Sequence, residues 1–153
     1  MIHNDDYTSK RRDALSQLFL VTTLMTSDMQ RGLTERGLTM TRAHVLWVLG
    51  EAGEMTQRQL AETLKVTPRN VTALVDALEA TGFLRRSAHP TDRRAVIVTL
   101  TPAGEAAVAT LSAENTAFAL QLFGDLTDGE LSTFHGILNS IGQKLSALEA
   151  ETR

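Results

Sequence analysis

Arginine and asparagine stand side by side at positions 69 and 70, directly after Thr67-Pro68 and just ahead of Thr72. A guanidinium can bond O6 and N7 of guanine together, a carboxamide can bond N6 and N7 of adenine, and threonine offers a hydroxyl or a methyl. This run therefore has the chemistry needed to read base edges in a DNA major groove. A second cluster, His89 followed by Asp92-Arg93-Arg94, lies in a loop with a proline. A narrow minor groove concentrates negative potential and attracts an inserted arginine, so an arginine-tipped loop suits the groove beside the one a helix occupies. Asp92 precedes Arg94 by two residues; in an extended hairpin the two share a face, and the carboxylate can aim the guanidinium. Arg93 points the other way. Lys65 and Arg86 are suited to phosphate.

The charge distribution agrees. The chain has 153 residues and a formal net charge of -3, which looks wrong for a polyanion binder until it is resolved along the sequence. Residues 1–64 carry net -1. Residues 65–94 carry six basic side chains (Lys65, Arg69, Arg85, Arg86, Arg93, Arg94) against three acidic ones (Asp76, Glu79, Asp92), net +3, and residues 95–153 carry net -5. A basic island between neutral and acidic flanks is what one polyanion-facing surface on an otherwise acidic molecule produces.

Composition bounds the alternatives. At 42% hydrophobic and 22% charged residues the chain is neither disordered nor a membrane protein, and its length fits one domain with a real core. No apolar run reaches the roughly 18 residues of a spanning helix, and the polar start, Met1 to Arg12, does not read as a secretory signal, so a cytoplasmic protein is expected. There is no cysteine, which removes thiol nucleophiles, thiolate metal sites and disulfide switches. The histidines (His3, His44, His89, His135) stand far apart, and no Ser/His/Asp order or glycine-rich phosphate loop appears. Neither catalysis nor a cofactor is expected, and no metal site; a metal-responsive regulator would have to gather ligands from remote helices.

The elements that must hold these clusters follow from periodicity. Leu15, Leu18, Thr22, Met25, Met29 and Leu33 step by three and four, so residues near 8–35 should form a long helix. Thr39 opens a second helix that stops at Gly50 and Gly53. Thr56 to Gln59 has capping-box spacing and starts a third helix running to Leu64. Thr67-Pro68 places a capping hydroxyl before a first-turn proline and opens the fourth, which Gly82 ends. Helices three and four make a helix-turn-helix. The period then drops to two: Phe83–Ser87 and Ala95–Leu100 read as strands around the basic loop 88–94, a wing. Thr101-Pro102 opens a fifth helix and Thr127 to Glu130 caps a sixth, along which Leu131, Phe134, Leu138, Ile141, Leu145 and Leu148 hold a/d spacing. The expected fold is mainly α, a winged helix-turn-helix in the order α1-α2-α3-α4-β-wing-β-α5-α6. Its segments are 1–38 (N-terminal dimerisation helix), 39–100 (winged DNA-binding lobe) and 101–153 (C-terminal dimerisation helices) within one structural domain. Apolar stripes on the terminal helices, with Leu15, Leu18, Leu131, Phe134, Leu138, Ile141 and Leu145 as interface residues, call for a homodimer in which they are covered.

Taken together, Leu78-Glu79-Ala80-Thr81-Gly82-Phe83-Leu84-Arg85-Arg86, Asp92-Arg93-Arg94-Ala95 and Val98-Thr99-Leu100-Thr101-Pro102-Ala103-Gly104 resemble the core of the MarR family of bacterial transcriptional regulators. The D-x-R wing followed by V-x-L-T-x-x-G is a specific pattern, and the resemblance extends to Leu38-Thr39 and to the order of elements. It implies an obligate homodimer on a pseudo-palindromic DNA operator, usually a repressor released by a ligand, with Asp92 and Arg94 as the wing pair and Arg69, Asn70 and Thr72 in the recognition helix. It also implies a pocket for a small aromatic or lipophilic anion such as salicylate between the dimer helices and the DNA-binding lobe. The matching stretches supply Met25 and Met29 from helix one and Arg42, His44 and Trp47 from helix two. Two positions depart from the pattern: Ala73, where many relatives carry arginine, and Arg42, where glutamine is common. The competing reading is a winged helix used for protein–protein contact, against which the exposed Arg93-Arg94 tip argues.

Overall fold

The computed structural model describes residues 3–151, with side chains from Thr8 on. Met1, Ile2, Thr152 and Arg153, at the ends of the first and last sequence segments, lie outside the described residues. In chain order the elements are α1 (His3–Glu35), α2 (Met40–Ala52), β1 (Met55–Thr56), α3 (Gln57–Leu64), α4 (Pro68–Ala80), β2 (Leu84–Ala88), β3 (Val96–Leu100), α5 (Pro102–Phe123) and α6 (Asp128–Glu151). They fall into two compact units, one up to Val108 and one from Ala109. α1 and the first turns of α5 thus belong with the winged lobe. The division between the units falls inside α5.

α2, α3 and α4 each start where a hydroxyl can take an orphan amide. The side chains of Thr39, Thr56 and Thr67 accept from the backbone N–H of Arg42, Gln59 and Asn70, satisfying first-turn donors that have no intrahelical partner. α4 ends on Gly82, whose φ of 80° is the left-handed conformation open to glycine at little cost. There the Phe83 N–H donates to the Leu78 carbonyl at 2.9 Å, closing a Schellman-type cap.

The lobe's core is formed by Val45 and Leu46 of α2, Leu60 of α3, Val71, Val75 and Leu78 of α4, and Leu84 and Val98 of the sheet, all fully buried. Burial of such a side chain stabilises by about 1.5–3 kcal/mol. The sheet has three antiparallel strands in the order β1-β3-β2. β1 was not expected from the sequence: two residues are too few for alternation to register, and Thr56 was already accounted for as a cap. β1 pairs Met55 with Val98 and Thr56 with Ile97, which fastens the start of α3 to the root of the wing.

The V-x-L-T-x-x-G stretch has a local physical cause. Thr101 Oγ1 donates to the Gly82 carbonyl at 2.6 Å and accepts the Gly104 N–H at 3.1 Å, so one hydroxyl caps α5 and holds it to the end of α4. A Cβ at Gly104 would lie 2.1 Å from the Phe83 carbonyl oxygen. Only glycine lets the helix approach that closely.

The unit from Ala109 is helical. The rings of Phe123 and Phe134 lie 5.7 Å apart at 44°, and Thr127 and Glu130 form a reciprocal cap at the start of α6. None of the described residues of α6 is buried. Among the described residues no helix is long and apolar enough to cross a membrane.

Candidate nucleic-acid interface

α3, α4 and the β2–β3 hairpin bring the two sequence clusters onto one lobe. Arg69 and Asn70 occupy the exposed first turn of α4, behind the Thr67 cap and Pro68. The turn that delivers them depends on Lys65, the one non-glycine residue with positive φ (54°) among the described residues. Its N–H and that of Val66 donate back to the Glu62 and Ala61 carbonyls, ending α3 so that the chain can reverse into α4.

The wing is a regular hairpin from Leu84↔Leu100 to Ala88↔Val96, and its tip is held by side chains. The Asp92 carboxylate accepts the backbone N–H of Arg94 at 2.9 Å. It therefore positions Arg94 through the main chain and not, as the spacing implied, by gripping the guanidinium. A short carboxylate folding back onto an amide two residues on is an Asx turn. His89 is half-buried, and its Nδ1 accepts the N–H groups of Asp92 and Thr91 at 3.1 and 3.3 Å.

The six cations of the basic island divide sharply. Lys65, Arg69, Arg85, Arg93 and Arg94 are exposed, and among the described residues none of these five has an ion-pair partner. Arg86 is the opposite case. Its side chain is only 23% exposed, and its guanidinium bonds Asp76 at 2.5 Å, Glu79 at 2.6 Å, Gln57 Oε1 at 3.1 Å and the Thr72 carbonyl at 3.4 Å. Partial burial works against the charged form, but the bonds to Asp76 and Glu79 outweigh it and hold the group above its ordinary pKa. Arg86 is thus corrected from a phosphate-facing residue to an internal clamp. With Leu84 buried, period-two alternation turns Arg86 inward and Arg85 outward. That signal was present in the sequence, and it makes Arg85 the exposed cation of β2. Gln57, Asp76 and Glu79, the partners of Arg86, were missed because they lie on two other helices.

Thr72 also differs from expectation. Its hydroxyl donates to the Pro68 carbonyl at 2.9 Å and accepts from Gln57 Nε2 at 3.1 Å, so it has no proton left for a base edge and offers its methyl and one lone pair. Ala73 is exposed on α4 and adds no charge there. Of the pocket candidates, Met25 and Met29 lie one turn apart on α1. On α2, His44 is exposed while Arg42 and Trp47 are half-buried. Among the described residues no hydrogen bond or ion pair links these five side chains.

Residues 38–96 match the MarR family model, a span that runs from the start of α2 to the second wing strand. The HTH-type transcriptional regulator YcgE of Bacillus subtilis is 31% identical over 104 residues, 68% of this chain and 66% of that protein, just under two thirds of its length. The chain belongs to the MarR family. That is a family of DNA-binding transcription regulators and not of enzymes, so this chain is a MarR-family regulator. The transcriptional repressor MdtR of the same organism is 27% identical over 68% of this chain and 67% of its own length. Streptococcus pneumoniae FabT, crystallised in complex with DNA, shares the winged helix fold with a TM-score of 0.75 at 23% identity, over 92% of this chain and 99% of that one.

Proposed function

We propose that this MarR-family protein is a cytoplasmic, sequence-specific repressor that acts as a homodimer on a pseudo-palindromic double-stranded DNA operator. The observation that carries this reading is the set of five exposed, unpaired cations on the recognition turn and wing. A surface that leaves its arginines without carboxylate partners is finished for an external polyanion. Arg69, Asn70 and the Thr72 methyl read base edges, Arg94 enters the minor groove with Arg93 beside it, and Lys65 and Arg85 meet phosphate. Thr67 and Pro68 set the first turn, while Asp92 and His89 shape the wing tip.

The homodimer is supported by apolar side chains left in solvent: Leu15 on α1, and Leu131, Phe134, Leu138 and Leu145 on α6, with Leu18 and Ile141 half-covered on the same two helices. A second copy covers these stripes. The repressor sense is supported by the likeness to MdtR. Release by a small aromatic or lipophilic anion follows the family pattern, with Met25, Met29 and Trp47 as the apolar wall and Arg42 or His44 as counter-charge. The adjacent helices α1 and α2 carry all five.

Selection of bound duplexes from a random pool tests the reading. It is expected to enrich an inverted repeat with half-site centres about one helical turn, ~34 Å, apart; enrichment of no sequence, or of a single half-site, would contradict it. Salicylate titration should quench Trp47 fluorescence in step with loss of operator binding, and release of DNA without any Trp47 response would move the ligand site elsewhere.

A further inference from the structure

We propose that Arg86 is a positioning residue for sequence readout: with Gln57, it locks the wing root and the recognition helix into one reading head and fixes which part of Thr72 faces the base pairs. The inference rests on the DNA-reading proposal above. Arg86 lies on β2, and every polar atom of its guanidinium is engaged by another element: Nη1 by Glu79 and Nη2 by Asp76 and the Thr72 carbonyl, all of α4, and Nε by Gln57 of α3. The backbone N–H of Arg86 adds a bond to Glu79 at 3.1 Å. A planar fork held at each corner fixes orientation as well as distance, which a flexible ammonium at the same place does not.

Gln57 extends the chain of bonds. Its Oε1 accepts from Arg86 and its Nε2 donates to the Thr72 hydroxyl, which donates in turn to the Pro68 carbonyl in the first turn of α4. The route thus leads from the wing strand to the turn that carries Arg69 and Asn70. With its one proton given to the Pro68 carbonyl and one of its two lone pairs taken by Gln57, the Thr72 hydroxyl cannot donate to a base, and α4 has the methyl at this position as the partner of a thymine C5-methyl. A packing role alone would not need three elements, β2, α3 and α4, joined through one guanidinium. The position of Arg86 behind α4 and its two carboxylate partners also set it apart from the five free cations.

The test compares affinity for the selected operator with affinity for a random duplex of the same length, across a salt series. Arg86→Lys keeps the charge and removes the fork. It should lower the operator-to-random ratio by at least about tenfold while leaving the slope of log affinity against log salt unchanged. Gln57→Met, which strands no charge, should lose preference only at the base pair opposite Thr72, and it keeps the test decisive where Arg86→Lys folds poorly. An unchanged ratio in both variants, whatever happens to their melting temperatures, overturns the proposal. An equal loss on operator and random DNA with a shallower salt slope does so too, by making Arg86 a phosphate contact. A wild-type protein with no preference between the two duplexes would instead overturn the DNA-reading proposal itself.

Discussion

The winged lobe and the last helix are finished for different surroundings. Between α2 and β3 the core is well covered, with Val45, Leu46, Leu60, Val71, Val75, Leu78, Leu84 and Val98 fully buried, and Lys65, Arg69, Arg85, Arg93 and Arg94 stand outside without ion-pair partners among the described residues. α6 is the reverse. It has no buried residue among those described, while Leu138 and Leu145 remain 39% and 56% exposed, so its unmet demand is for apolar cover. Two kinds of incompleteness call for two kinds of partner. Exposed cations call for a polyanion, whose binding is long-ranged and salt-dependent; exposed leucines call for another apolar helix face, bound at short range and largely indifferent to salt.

The largest effect should come from breaking the apolar side of this comparison. Replacing Leu138 and Leu145 together by glutamate should convert the dimer to a monomer in sedimentation and cost operator affinity 100-fold or more, since two half-sites held on one body bind far more tightly than either alone. Full operator binding by a monomeric variant would separate the two regions and refute the dimer.

Arg94→Ala, on the polar side, should weaken operator binding by roughly 1–3 kcal/mol in an anisotropy titration with the dimer intact; wild-type affinity would remove Arg94 from the interface. A smaller change sharpens the contrast within one residue. Lys65 holds a left-handed backbone that costs a side-chain-bearing residue about 1–2 kcal/mol, offset in part by the entropy glycine loses on folding. Lys65→Gly should therefore raise thermal stability by roughly 0.5 kcal/mol while lowering affinity for all DNA sequences alike. A variant that is both less stable and unchanged in DNA binding would show that Lys65 serves the turn alone.

The smallest effect concerns Glu130. The backbone N–H and hydroxyl of Thr127 bond its carboxylate and lower its pKa. A carboxyl whose folded pKa is depressed stabilises the fold above its ordinary value, and that contribution is lost as pH falls through the lower folded value. Melting curves should show wild type losing more stability than Glu130→Gln on acidification below the ordinary carboxylate range; parallel losses would contradict this cap.

Most of the fold was legible because its signals are local. Thr39, Thr56 and Thr67 mark helix starts within a few residues, and the change of period at Phe83 marks the wing. β1 was not legible, since a strand of two residues exists only through its partner β3. The candidate site was read less completely for the same reason. Which residues carry charge was plain, but whether a charge is free depends on carboxylates brought up by other elements, as Asp76 and Glu79 are to Arg86. The turn at Asp92-Arg93-Arg94 was placed correctly, yet the choice of the Arg94 amide over its guanidinium depends on a tight backbone turn that residue types alone do not specify.

The central claim, that the unpaired cations of the recognition turn and wing form the DNA face, is tested most directly by the salt dependence of operator affinity in single alanine variants. Log affinity should fall linearly with log salt for the wild type. Alanine at Lys65 or Arg85, which meet phosphate, should flatten that slope by about two, one released ion for each protomer, whereas alanine at Arg69 or Arg94 should lower operator affinity more than affinity for random DNA. Wild-type slopes at Lys65 and Arg85 together with unchanged operator affinity at Arg69 and Arg94 would contradict the account.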